Sequence, residues 1–584
     1  MRSRAVWAGL LLAAIGAAAY HSSLPGALFW DDEVTVVNNV FIRSPAYLND
    51  IFTSSYHTGG GETLNFYRPL TTVSFMADYR LWGLNPLGFH LSSLLLHLLN
   101  GCLLWGLWRR LTGGGRASLQ GGDVSPANAG GRVAWLAAAL FLIHPINSEA
   151  VNYVSNRTDL LMLSWLLASF HAYVRFRTTG RRRWLAAAVL GYAASILSKE
   201  MGLVLPLLAL AYEATRHDER RGVARRLPAV LAFLPVLAGY VACRMTVLNF
   251  MHLDLLREGA QPGPFSEDPL IRLLTFANAA LVYLRVLLVP GNLHMEYDNP
   301  IAASRLDGAA WASLSAVLLL AGTAAWLGRR DRRVWFALAW MVCGVLPISG
   351  VIPINNVLAE HYLYLASAGW FLFVALGTMA VWDRARSPRA RLVLASAGLA
   401  VSAAWGSRTI ERNRDWQDPL GMYLDIASHS RTSFRANNNA GVEYFRRGSF
   451  DEAEAYFRRA IAIHPAYGVA LNNLGALAER RGNLQAAEWY FSKALASGPE
   501  TALPRKNLIR LYQRQGRFHE AAAAVEELRA RFPHDPDLQS LAAPLRRGGG
   551  GRASLRGGDV SPADAGGRAS LRGGDVSPAD AGGR

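Results

Sequence analysis

The chain has 584 residues, 51% of them hydrophobic and only 18% charged. Soluble chains carry about 25% charged residues, so lipid rather than water solvates much of this one. Three cysteines exclude a disulfide framework or a cysteine-rich metal module, and a net charge of +17 would suggest nucleic acid if its placement agreed. It does not agree: Lys199, Lys493 and Lys506 are the only lysines, and the arginines gather between apolar segments, as membrane topology is written.

In chain order the apolar segments are 5–20, 88–108, 133–143, 158–174, 184–198, 201–214, 227–248, 308–327, 334–350, 363–382 and 391–406. The first resembles a signal peptide, with Arg2 and Arg4 ahead of an apolar stretch. Ten further segments make a retained helix the better reading. Arginine clusters at 109–110, 175–183, 216–226, 329–333 and 384–391 all fall on one side if the N-terminus is cytoplasmic. The segment 270–290 is apolar but interrupted by Arg272, Asn278 and Arg285. Counted as a span it would push 329–333 outside, so it reads as re-entrant or interfacial. Eleven spans and an outer C-terminus follow. The membrane body is expected over 1–410, with a linker at 411–433.

From 434 to 540 a 34-residue period appears. Gly441, Ala453, Phe457, Ala460 and Pro465 return as Gly475, Ala487, Phe491, Ala494 and Pro499, and a weaker third copy keeps Leu508, Tyr512, Ala521 and Pro533. The spacing matches the tetratricopeptide repeat (TPR), whose paired helices stack into a groove suited to extended peptide. The fold class is therefore all-α: a polytopic membrane protein followed by a short α-solenoid. A glycine-rich string at 114–132 returns nearly unchanged at 550–568 and 566–584. With no apolar period it builds no core, and the 541–584 tail is expected to be disordered.

Polar chemistry gathers on the predicted outer side. The first outer loop opens with Phe29-Trp30-Asp31-Asp32-Glu33. Three adjacent acids repel, so they need full hydration, a shared proton or a cation. Arg68 follows in the same loop. The second loop carries His144, Pro145, Glu149 and Arg157, the third Lys199 and Glu200, and a later one Glu360 and His361. Arg157 has the planar fork that matches phosphate oxygens; the plainer alternative is an interfacial anchor. A lysine between two spans is costly enough to suggest use, or else a structural pair with Glu200. No metalloprotease, Walker or dinucleotide motif occurs, which removes ATP-driven transport and nicotinamide chemistry.

Trp30-Asp31-Asp32, Tyr67-Arg68-Pro69-Leu70, Asn85-Pro86 with His90, and His144-Pro145 with Asn147 and Glu149 together resemble the polytopic GT-C glycosyltransferases. Ser198-Lys199-Glu200, Ala359-Glu360 with Tyr362-Leu363-Tyr364, and Arg412-Asn413 with Trp416 extend the likeness to the transmembrane and TPR-containing O-mannosyltransferases and their bacterial relatives. It covers about 1–535. His361 stands where that family's motif would have arginine.

The resemblance implies transfer of a hexose, such as mannose, from a polyprenyl-phosphate donor to a protein hydroxyl, with inversion. It makes Asp31 the base, Asp32 an orienting or metal-binding acid and Glu33 a lesser candidate. Arg157, with Lys199 in support, would hold the phosphate, and Arg68, His144, Glu149, Glu200, Glu360 and His361 would line the substrate site. Asp31 and Asp32 are also where Mg²⁺ or Mn²⁺ would bind, if either is used. The expected setting is a bacterial inner membrane with periplasmic repeats that present the acceptor protein. The alternative is a non-catalytic, membrane-anchored TPR scaffold.

Overall fold

The computed structural model describes residues 2–547 apart from 62–63, 113–128, 216–226, 251–264, 266–267, 299, 352–356, 499–500 and 533–536. Most of the first glycine-rich copy and the whole of the other two lie outside the described residues. Among those described there is helix and no strand. The chain divides into two compact units, Met1–Arg431 and Thr432–Arg584.

The first unit is a helical body. Among the described residues, seven of its helices are long and apolar enough to cross a bilayer, or eight if a bent pair at Gly130–Ile143 and Pro145–Asn152 counts as one span. Eleven were expected. The difference lies in helices such as Arg157–Thr179, which carries charge, and Arg182–Ser198, Leu205–Thr215 and Arg332–Val345, which are short. Packing in the protein interior explains how they persist. Leu160, Met162, Leu163, Leu166, Leu167 and Phe170 are fully buried, and among them the Ser164 hydroxyl donates to Asn100 Oδ1 while the Asn100 amide donates to Leu160 O. By contrast Gly308–Leu327 and Pro388–Asp415 turn Leu319 and Leu399 outward at 71% and 72% exposure, as lipid-facing helices do.

Two local features bear on the polar loops. The bent pair breaks by 55° at Pro145, which lacks an amide hydrogen, while His144 Nδ1 accepts the Ile146 N–H at 3.1 Å. Pro269–Leu288 is a continuous 20-residue helix, long and apolar enough to span by itself. The segment expected to be re-entrant or interfacial is thus one of the seven candidate spans. Arg272 near its start donates to Gly350 O at 2.7 Å and Tyr283 near its end to Val357 O at 3.1 Å, both on the same connection between helices.

The expected linker belongs largely to this body. Helix Pro388–Asp415 runs into it, Pro419–His429 follows, and Arg412, Asn413, Trp416 and Ile426 are buried.

The second unit stacks three helical hairpins: Phe434–Arg446 with Phe450–Ile463, Gly468–Arg480 with Leu484–Ser497, and Ala502–Arg514 with Phe518–Arg531. Each turns at a glycine of positive φ, Gly448 (+78°), Gly482 (+78°) and Gly516 (+73°), where a side chain would be strained. These glycines share the 34-residue period. Neighbouring hairpins are joined by buried asparagines, Asn473 donating to Asn438 and Asn507 to Asn472, each at 2.9 Å.

The third copy is weak because its packing partners change together. A Cβ on Gly441 or Gly475 would lie 2.6 Å from Phe457 or Phe491. In the third repeat those positions become Ile509 and Val525, both buried in one cluster. A large residue has moved from one helix to its partner. We expect Gly475→Ile to destabilise the second unit by about 1–3 kcal/mol through overpacking, and Phe491→Val to restore most of it. Thermal melts of the two variants and their combination test this exchange; additive losses would contradict it.

Candidate active site at the outer loops

The acidic loop is held by a strained turn. Trp30 has φ +59°, a conformation a bulky residue adopts only when its surroundings impose it. Its ring lies 5.5 Å from Tyr423, and neighbouring Phe29 packs between Tyr423 and Trp416 at 5.8 Å from each. The turn closes with Asp32 N–H on Phe29 O and Glu33 N–H on Trp30 O, and a short helix follows over Glu33–Val37.

That turn separates three consecutive carboxylates into different environments. Asp32 is fully buried, and its Oδ1 accepts both the backbone N–H and the hydroxyl of Ser155 at 2.6 Å. Glu33 is 9% exposed, and Asp31 retains more access to solvent. The Asp31 backbone N–H donates to the Tyr153 hydroxyl at 2.8 Å. Burial, with Asp31 and Asp32 beside it, pushes the Tyr153 pKa well up and keeps that phenol neutral. Tyr153 and Ser155 thus tie the acidic loop to the loop that follows Pro145. Asp31 and the second oxygen of Asp32, which is buried without a hydrogen-bond partner, are the atoms that can hold a divalent ion here.

Burial drives the Asp32 carboxyl from 3.8 to about 7, although its bonds from Ser155 favour the charged form. The unfolded chain releases this proton at lower pH than the folded one, so Asp32 lowers stability as pH rises between those values. Asp32→Asn keeps an acceptor for Ser155 and removes the titration. We expect its melting temperature to fall less than the wild-type value between about pH 5 and pH 8. Parallel profiles would contradict this assignment.

The cationic side begins one residue beyond Ser155's contacts. Tyr56 OH reaches Ser155 O at 3.5 Å, and the Arg68 guanidinium lies over the Tyr56 and Phe66 rings at 5.7 and 4.7 Å. Arg68 binds Glu200 through two bonds, of 3.1 and 2.6 Å. Burial raises the Glu200 pKa, but Arg68 and then Lys199 outweigh it and hold the carboxyl down to about 2. Lys199 pairs with Asp159 at 2.6 Å and lies 5.9 Å from the Tyr362 ring. Next to Tyr362, His361 donates its backbone N–H to Glu149 at 3.1 Å and holds Nδ1 2.6 Å from the same carboxylate. Glu360 accepts from Tyr297 OH at 2.8 Å and stands 4.0 Å from Arg412.

Nine of the eleven expected residues therefore form one linked constellation, and two do not join it. Arg157 is 1% exposed and bonded to Asp78 at 2.5 Å and to Phe89 O at 2.7 Å, with a face over Phe75. Its donors are committed to Asp78 and Phe89 O, whereas Arg68, 13% exposed at the side chain, lies over Tyr56 beside the Ser155 contacts. His144 is fully buried against Trp405 and Phe371 and serves the proline break described above. Sequence reasoning missed Tyr56 and Ser155, which carry the contacts between loops. Neither has a motif or a charge to mark it.

Models of the tetratricopeptide repeat match residues 438–464 and 478–545. Curated relatives are protein O-mannosyl-transferases: Tmtc3 of Drosophila melanogaster is 26% identical over 501 residues, covering 76% of this chain and 54% of that protein. TMTC4 of Mus musculus is 27% identical over 521 residues, covering 77% and 66% respectively. The chain thus spans between about half and two thirds of the length of these relatives. Among solved structures, ArnT from Cupriavidus metallidurans bound to undecaprenyl phosphate aligns at 16% identity with a TM-score of 0.39, covering 92% of this chain and 84% of that one.

Proposed function

We propose that this chain is a membrane glycosyltransferase of the GT-C type. It moves a hexose, such as mannose, from a polyprenyl-phosphate donor to a hydroxyl of a protein acceptor on the extracytoplasmic face. The observation that carries the reading is Asp31: the one accessible carboxylate of the acidic turn, bonded to Tyr153 through its backbone N–H and adjacent to Asp32, which Ser155 and Tyr56 link to Arg68. The names of the relatives agree with it.

The phosphate of such a donor is already a competent leaving group. A base is needed on the other side. Asp31 takes the proton of the acceptor hydroxyl as its oxygen bonds to the anomeric carbon. The bond from that carbon to the phosphate oxygen breaks, and polyprenyl phosphate leaves with the electron pair. One displacement inverts the anomeric centre. Arg68, with Lys199 behind it, balances the charge on the departing phosphate. Because Arg68 is bidentate to Glu200, the phosphate competes with that carboxylate for the same fork. Asp32 orients the turn and, where a divalent ion is used, supplies a ligand to it.

The arginine-rich connections mark the cytoplasmic side, and the helix over 269–288 lies along the outer one. The repeats then stand in the periplasm of a bacterial inner membrane and hold an extended segment of the acceptor. Mass spectrometry of extracytoplasmic proteins from cells with and without this gene tests the reading. Hexose on serine or threonine that depends on the gene is the expected result. Identical glycopeptide maps would argue for the non-catalytic scaffold.

A further inference from the structure

A second polar cluster lies on the helix whose Tyr423 packs against Trp30 of the acidic turn. Helix Pro419–His429 places Asp425 and His429 four residues apart, on one face. His294, from the connection after helix Pro269–Leu288, comes against them. His294 Nδ1 is 3.3 Å from Asp425 Oδ2, and His429 Nδ1 is 3.3 Å from Asp425 Oδ1. The two imidazole rings lie 4.1 Å apart, tilted by 30°. One nitrogen or oxygen from each residue falls within 4.8 Å of the others.

We propose that His294, Asp425 and His429 form a binding site for a divalent transition metal of the Zn²⁺ class. Two imidazoles and one carboxylate suit Zn²⁺, Co²⁺ or Ni²⁺, whereas Mg²⁺ and Ca²⁺ prefer oxygen alone. Three protein ligands leave at least one position to water, and the site has an opening for it. His294 is 11% exposed, Asp425 42% and His429 45%. The histidine from the connection is itself oriented: its backbone N–H donates to Tyr297 OH, which donates to Glu360. The charge of nearby Arg412 is met by Glu360 and Asp415, at 4.0 and 3.2 Å. A bound ion would fasten the connection after residue 288 to helix Pro419–His429. This inference does not depend on glycosyl transfer.

The test uses the full chain in detergent, with affinity tags removed and metal stripped by a chelator. Titration with Co²⁺ should show visible d–d bands that saturate at about one equivalent and disappear on adding Zn²⁺. His429→Ala and Asp425→Asn should lose the bands, and His519→Ala, on the exposed face of a repeat helix, should keep them. His429→Gln, at a half-exposed position, provides a variant with little effect on folding, checked by its melting curve. No saturable bands in the wild type, or equal bands in folded variants at His429 and Asp425, would overturn the proposal.

Discussion

Asp31→Asn should lower the turnover of sugar transfer by about a hundred- to ten-thousand-fold, the range a positioned general base contributes. The loss should appear in kcat, with donor affinity nearly unchanged, because Asp31 meets the acceptor hydroxyl rather than the phosphate. The Asp31 backbone N–H keeps its bond to Tyr153 in the variant, and a thermal melt checks that the fold is retained. Arg68→Ala provides the contrast, since it should weaken donor binding as well as turnover. Purified variants assayed over a range of donor concentration separate the two effects. If Asp31→Asn changed only the apparent KM, the base would have to be sought elsewhere.

Arg157→Ala should damage the fold rather than the chemistry. Arg157 and Asp78 are 1% and 7% exposed at the side chain, and removing one member of a buried pair costs about 3–5 kcal/mol. Asp78 would be left buried and charged, and Phe89 O would lose its donor. The single variant should aggregate or melt far earlier. Combining it with Asp78→Asn should recover much of the stability, because the orphaned charge is then gone. Size-exclusion profiles and thermal melts in detergent read both steps. A well-folded Arg157→Ala that had lost donor affinity would instead return this arginine to the phosphate.

Local periodicity explains what could be read from the sequence. The hairpins of the second unit follow from a 34-residue spacing of small and large residues, and the apolar segments follow from length and arginine placement. Even the weak third repeat is legible once Ile509 and Val525 are seen to exchange sizes with Gly475 and Phe491. The chemistry was only half visible. Residue types picked out Asp31, Asp32, Arg68, Lys199 and Glu200, but burial divides them into roles. Nothing in the string Asp31-Asp32-Glu33 tells which carboxylate a positive-φ tryptophan will leave accessible. Arg157 looked suited to phosphate because a fork of donors looks the same whether it faces a ligand or Asp78. The His294, Asp425 and His429 cluster joins residues 131 positions apart in sequence, and no spacing rule reaches that far.

The most direct measurement uses membranes holding equal amounts of the wild type or Asp31→Asn, given radiolabelled polyprenyl-phosphate hexoses and extracytoplasmic protein. Transfer of label to protein by the wild type, lost in the variant, is the predicted result. Equal transfer by both would contradict the role of Asp31, and none from either across a broad donor panel would contradict glycosyl transfer itself.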